Sequence, residues 1–325
     1  MKRVLSLFLV VLLLVSLIAC DSNETNSSDS NESVTNESSS VGSASNSESS
    51  ADNGVTDGSQ SSDDEGYVDE GEMKIRLFKV GKSDASLIRT KDYVILIDSS
   101  SDDHGQEILD YLAEKSITSI DYMIITHFDK SEVGGADIIL KGTEVKTVVQ
   151  PAYTKDSPQA REYVAALGTL DSEIITLKEE MTINCNDVEL TLYPAQKSYY
   201  AEDDDNNFSI AVNVIHGDNS FLFAGDAMSA RMKELVEFNQ AKGLEAFSFV
   251  KMPCNGVYCE GTYGISTTEF IEAVDPIYAS ISCSEKNPAE AAVVDALAAV
   301  GTKVFFTKDG NIKITSDGEM IEIVQ

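Results

Sequence analysis

The stretch Ile120-Asp121-Tyr122-Met123-Ile124-Ile125 runs straight into Thr126-His127-Phe128-Asp129-Lys130-Ser131-Glu132-Val133-Gly134-Gly135, and this junction constrains the fold more than any other segment. The first six residues are mostly apolar and β-prone, which predicts a buried strand. Beyond the glycines, Ala136-Asp137-Ile138-Ile139-Leu140 has the spacing of a short amphipathic helix. A strand that ends in a polar loop and enters a helix at Gly-Gly aims several short side chains into one cleft.

At the start of the chain, Lys2-Arg3 precede an apolar run from Val4 to Ile18 broken only by two Ser. A charged start and an apolar stretch too short for a comfortable membrane span predict a signal peptide over residues 1–19. Leu17-Ile18-Ala19-Cys20 resembles the bacterial lipobox, which implies acylation of Cys20 and a lipoprotein on the outer face of a membrane. Two acyl chains suffice for stable anchoring. The alternative is an ordinary signal peptide or a transmembrane anchor with an incidental Cys.

Residues 20–72 are Ser, Asn, Asp, Glu and Gly with almost nothing apolar, and they hold fourteen acidic residues and no Lys or Arg. Such a segment buries too little apolar surface to offset its ordering entropy and is expected to be a disordered stalk. A neutral flexible chain of this length would span about 40 Å, and charge repulsion extends it. The whole chain carries a net charge of −31; two positive charges in 1–19 and the fourteen negative ones of the stalk leave −19 on residues 73–325. No cluster of Lys and Arg relieves that acidity, so a nucleic-acid partner is not expected. The membrane is the one partner implied; a protein or ligand partner is not named by the sequence.

Residues 73–325 alternate strand and helix signals. Met73 to Val80, Ser86 to Arg89 and Tyr93 to Ile97 read as strands, and Gln106 to Lys115 as a helix. Val145 to Val149 is another strand, Ser157-Pro158 opens a helix, and Glu173 to Tyr193 holds two or three strands. The plan then repeats: a hairpin from Phe208 to Ala224, helices over Ser229 to Lys242, Thr267 to Ala273 and Pro288 to Val300, and strands between and after them. Two similar halves of this kind predict an α+β fold with two facing sheets and helices outside. Outside a membrane, Cys185, Cys254, Cys259 and Cys283 could form disulfides, but nothing fixes a pairing.

Residues 126–135 resemble the Thr-His-x-His-x-Asp-His-x-Gly-Gly metal loop of the metallo-β-lactamase superfamily, in its competence-type branch of DNA-internalisation hydrolases. Further motifs follow in the order of that family. Gly81 to Ala85 is similar to Gly-Gln-Gly-Asp-Ala and brings Asp84, while Ile97-Asp98 is similar to the start of Ile-Asp-Thr-Gly. Asn206-Asn207-Phe208-Ser209 is similar to Asn-Asn-x-Ser, Gly225-Asp226 to Thr-Gly-Asp, and Pro253-Cys254-Asn255-Gly256 to Pro-His-His-Gly. The resemblance implies the αββα sandwich and, in active members, one or two Zn²⁺ that activate water for hydrolysis.

Against that pattern this chain keeps His127, but has Asp129 for the second His, Ser131 for the Asp and Glu132 for the last His. It has only three His, and His104 and His216 fall in turns that read as solvated surface. The ligands the resemblance supplies are therefore His127, Asp129, Glu132, Asp226 and Cys254, with Asp84, Asp98, Ser131, Asn207 and Asn255 lining the same cleft. One imidazole among carboxylates supports no metal or one weakly held Zn²⁺ or Mn²⁺, and no catalytic residue is assigned. A lipid-anchored domain with a degenerate metal site, serving binding or scaffold roles, is the expectation. An atypical single-metal phosphodiesterase or nuclease is the rival.

Overall fold

The structure is a computed structural model that describes residues 67–201 and 205–325. The signal peptide over 1–19, Cys20 and the stalk up to residue 66 lie outside the described residues.

Met73–Leu77 (β1), Ser86–Arg89 (β2) and Val94–Ile97 (β3) pair antiparallel, as the predicted hairpins require. Gly105–Glu114 (α1) leads into Ser119–Ile124 (β4). Two short helices, Lys130–Val133 (α2) and Ala136–Gly142 (α3), lead to Glu144–Pro151 (β5), and Pro158–Leu167 (α4) to Glu173–Leu177 (β6). β3 to β6 run parallel. α4 starts where it does because the Ser157 hydroxyl accepts from the Ala160 amide at 3.1 Å and Pro158 needs no partner in the first turn.

The second half repeats this. Met181–Cys185 (β7), Val188–Tyr193 (β8), Ala211–His216 (β9) and Asn219–Phe223 (β10) are antiparallel. Ser229–Ala241 (α5), Phe249–Lys251 (β11), Thr267–Val274 (α6), Tyr278–Ile281 (β12), Ala291–Ala299 (α7) and Lys303–Phe306 (β13) then extend the sheet in parallel. The last strands, Ile312–Ser316 (β14) and Ile321–Val324 (β15), return to the first sheet, β14 against β1. The result is one sheet ordered β15-β14-β1-β2-β3-β4-β5-β6 and another ordered β13-β12-β11-β10-β9-β8-β7.

Three apolar layers hold the α+β sandwich of two similar halves together. Ile88, Ile97, Leu190, Val214 and Phe249 fill the space between the sheets, Leu112, Ile139 and Tyr163 pack helices on the first sheet, and Leu235, Phe270 and Leu297 pack helices on the second. In β4, Ile124 faces the opposite sheet and its neighbour Met123 faces the helices, because successive strand residues point to opposite faces. Each such fully buried side chain contributes about 1.5–3 kcal/mol.

Four expectations need correction. Val68 is buried, so packing begins before residue 73. His216 is buried, with its ring between Ser316 Oγ at 2.9 Å and Asp187 Oδ2 at 3.3 Å, because β9 sets its last side chain against β14. Phe208 belongs to a 3₁₀ turn, Asp205–Phe208, and not to the hairpin strand. The Ala-rich helix opens at Ala291, three residues after Pro288.

The candidate metal centre

Gly134 and Gly135 allow the loop after β4 to lie flat against its neighbours. A Cβ on Gly134 would come within 2.7 Å of the Asp102 amide nitrogen, and one on Gly135 within 2.8 Å of Gly105 Cα. No side chain fits there. The loop therefore presses against the chain after β3, and the ends of β3, β4, β10 and β11 converge on one place.

Asp98, at the end of β3, fixes the loop. Its Oδ1 accepts from the Thr126 amide at 2.8 Å and its Oδ2 from the Thr126 hydroxyl at 2.8 Å. Burial raises the Asp98 carboxyl well above its ordinary range, and the bonds from Thr126 oppose that shift. Thr126 Oγ also lies 3.0 Å from His127 Nδ1. The Thr126 hydroxyl donates to Asp98, so its oxygen is left to accept from Nδ1–H. His127 then presents the Nε2 lone pair, the form a metal ligand takes.

Nε2 points at two carboxylates. Glu132 Oε2 is 3.2 Å away and Asp226 Oδ2 3.9 Å away. The ligand atoms of His127, Glu132 and Asp226 lie within 4.8 Å of one another, the one such group among the described residues. His127 and Glu132 are 0 % exposed. Burial pushes the Glu132 carboxyl well above its usual range, followed by the charges of Asp226, Asp84 and Asp98. Asp226 is raised too, by burial first, with His127 acting the other way. The charges thus crowd one another, and His127 Nε2, Glu132 Oε1 and Asp226 Oδ1 have no hydrogen-bond partner among the described residues. Buried polar atoms are normally satisfied. One imidazole nitrogen and two carboxylate oxygens, left without hydrogen bonds in one buried group, fit a divalent cation.

Not every expected ligand joins the group. Asp129 turns outward and meets the Lys155 ammonium, which also binds Asp205 at 2.9 Å. The Cys254 thiol donates to the Asp226 backbone carbonyl at 3.0 Å and so sits beside the group. None of Cys185, Cys254, Cys259 and Cys283 is in a disulfide. Ser131 donates to Glu132 Oε2 at 2.9 Å, and so braces a ligand. Asn207 accepts from the Arg231 amide at 3.1 Å, at the start of α5. Asn255 is buried in a left-handed run with Cys254 (φ 53° and 50°) that turns the chain sharply after β11.

Sequence reasoning did not single out three residues. Thr126 carries the link from Asp98 to His127. Ser209 Oγ accepts from the Asp226 amide at 3.1 Å and lies 3.4 Å from His127 Nδ1. Lys251, 3 % exposed, meets the Asp84 carboxylate beside the group. Burial works to lower its pKa, but the charges of Asp84 and Asp226 and the bond to Asp84 outweigh that and hold it above the ordinary lysine value. A lone charge in the strand-like run Phe247 to Met252 was the signal for it.

Known proteins share this architecture. The chain is 25% identical over 184 residues to ComE operon protein 3 of Bacillus subtilis (strain 168), a match covering 56% of this chain and 22% of that protein. The matched part is thus about a fifth of the relative's length. Among solved structures, a variant of the CmlA beta-hydroxylase superposes with a TM-score of 0.51 at 14% identity, over 75% of this chain and 53% of that one; CmlA itself is from Streptomyces venezuelae. The metallo-beta-lactamase fold protein YhfI from Bacillus subtilis superposes with a TM-score of 0.49 at 12% identity, over 78% and 99%. Residues 79–271, more than half of the sequence, match the Metallo-beta-lactamase superfamily; the chain belongs to that superfamily, and its likeness to ComE operon protein 3 supports the competence-type branch.

Proposed function

We propose that this protein is a lipid-anchored, extracytoplasmic member of the superfamily whose cleft holds one divalent cation as a structural element and no longer carries out dinuclear hydrolysis. The observation behind this reading is that His127 and Glu132 are completely buried while His127 Nε2 and Glu132 Oε1 have no hydrogen-bond partner among the described residues. Catalytic metal sites keep one position open to water and substrate, whereas structural sites are closed by protein. Here His127 and Glu132 are shut off from solvent and Asp226 nearly so. His127, Glu132 and Asp226 would hold the ion, which, once bound, would neutralise the carboxylates and polarise any ligand that reached it. Thr126 and Asp98 hold the imidazole in the ligating tautomer, and Ser131 and Ser209 brace Glu132 and Asp226. The domain would then offer its acidic surface as a scaffold for an envelope partner or ligand.

One observation favours a second reading, a single-metal phosphodiesterase. A cavity of about 360 Å³, lined in part by Tyr153, Lys178, Lys197 and Phe208, borders the metal loop, where the Tyr153 hydroxyl accepts from the Phe128 amide at 2.7 Å. Hydrolysis of bis-p-nitrophenyl phosphate by the Mn²⁺- or Zn²⁺-loaded protein separates the two. The scaffold reading predicts the same background rate in wild type and His127→Ala. Turnover that His127→Ala abolishes would replace it with the hydrolase.

A further inference from the structure

His216 is a buried titratable ring that the metal group does not use. It ends β9, the strand that starts just after Ser209, and so stands on the order of 20 Å of extended chain away from that group. Its Nδ1 lies 2.9 Å from Ser316 Oγ at the end of β14, and its Nε2 3.3 Å from Asp187 Oδ2 in the turn between β7 and β8. The ring therefore joins the second sheet to the β14–β15 hairpin of the first.

The neighbours fix where the protons are. The Met320 carbonyl can only accept, so Asn219 must turn its NH₂ group toward it, at 3.4 Å, and the same group donates to Ser316 Oγ at 3.0 Å. The Gly318 amide also donates to Ser316 Oγ, at 3.3 Å. Both lone pairs of that oxygen are then taken, and its one proton is left for His216 Nδ1. The ring carries its own proton on Nε2, directed at Asp187. We propose that this arrangement is an acid-operated latch: a second ring proton, on Nδ1, breaks the bond from Ser316 and frees the β14–β15 hairpin from the second sheet.

The charges around the ring decide the direction. Asp187 has a half-exposed side chain, Asp218 lies exposed in the turn after β9, and Asp317, in the turn after β14, accepts from the Glu319 and Met320 amides. Glu70 and Glu72, which share a cavity with Asp187, pair with Lys91 at 3.1 Å and Lys74 at 3.6 Å. The register partners of His216 on β8 and β10, Val188 and Asn219, carry no charge. Water screens carboxylates at this edge, so the pull of Asp187 on a charged ring is weak. His216 and Ser316 are buried, and an N–H facing a hydroxyl with no free lone pair is costly there. An opened hairpin lets water solvate the charged ring, so acid favours the open form.

The plainer account is a buried histidine that only fills space between the sheets. Hydrogen exchange of the full-length chain in chelator, at pH 7.5 and 5.5 and corrected for the intrinsic effect of pH, separates the two. That range is where an imidazole changes charge. We expect the wild-type amides of residues 312–324 to lose about tenfold in protection on acidification, relative to β4 and β5. His216→Asn keeps an acceptor for the Ser316 hydroxyl and cannot take a proton, so its hairpin should stay protected. Ser316→Ala should exchange faster at both pH values, by a factor that does not change with pH. Equal acid losses in wild type and His216→Asn, or a wild-type hairpin better protected in acid, would overturn the inference. Should His216→Asn fail to fold, Ser316→Ala carries the test: an acid loss as large as that of wild type overturns the latch, and its disappearance supports it.

Discussion

His127 Nε2 faces Glu132 Oε2 across 3.2 Å, with both side chains fully buried, and yet no hydrogen bond joins them. Glu132 Oε2 is instead served by the Ser131 hydroxyl, and His127 gives its Nδ1 side to Thr126. A simple buried ion pair would align donor and acceptor, since its attraction must repay the desolvation of both groups. His127 Nε2, Glu132 Oε1 and Asp226 Oδ1, left without donors in one buried place, are the arrangement of ligands for a cation.

Thr126 should matter through its hydroxyl. Thr126→Val removes the donor to Asp98 Oδ2 and the acceptor for His127 Nδ1 while keeping the volume. Leaving those buried groups unpaired is expected to cost about 1–3 kcal/mol in denaturant unfolding and to weaken Mn²⁺ binding about tenfold. Thr126→Ser keeps the hydroxyl and should stay near wild type in metal affinity. Equal losses in both variants would show that the methyl group, not the hydroxyl, matters.

Asp98 predicts a pH dependence. Burial raises its folded-state pKa above the unfolded value, so the native state holds the proton more tightly. Stability should therefore be greatest below the unfolded value of about 4 and fall as pH rises toward the raised folded value. Asp98→Asn cannot ionise, so in chelator its loss of stability as pH rises above the unfolded value should be shallower than that of wild type. An unchanged slope would assign the dependence to Glu132 and Asp226 alone.

The N-terminal boundary can be tested by truncation. Val68 is 3 % exposed, and the Lys74 ammonium donates to the Tyr67 carbonyl at 2.7 Å. A chain starting at Tyr67 should melt like the one starting at Asp21. Starting at Met73 forfeits the burial of Val68, up to about 1.5–3 kcal/mol, or several degrees at roughly 2–4 °C per kcal/mol. Equal melting of all three would mean that Val68 contributes nothing.

What could be read from the sequence was local. The strand through Ile124 and Ile125, the polar loop and the Gly-Gly entry are contiguous, so residue type alone places His127 and Glu132 at one strand end. Asp226 and Asp98 could be placed the same way, by the apolar strands that precede them. The errors involve partners far along the chain. Asp129 stands in the loop as a plausible ligand, but its cation is Lys155, 26 residues on. His216 reads as a solvated turn residue, but it ends β9, and Ser316, 100 residues away, packs against it. Lys251 needed Asp84, 167 residues back, to show why a charge interrupts a buried strand. Val68 is a single apolar residue in a polar stretch and has no periodicity to reveal it.

Cys20 should decide membrane attachment, since a lipid thioether needs its thiol. In cells fed labelled palmitate, wild type is expected to incorporate label and fractionate with membranes, and Cys20→Ala to do neither. Label retained by Cys20→Ala would dismiss the lipobox assignment.

His127, Glu132 and Asp226 converge as the ligands of one divalent ion. The most direct test is a calorimetric Mn²⁺ titration of the wild-type chain and His127→Ala, with bound metal counted after removal of the free ion. One ion per wild-type chain is expected, and loss of that ion in His127→Ala, which gives up the only imidazole in the group. Two tightly bound ions in wild type, or one ion bound equally well by His127→Ala, would contradict it.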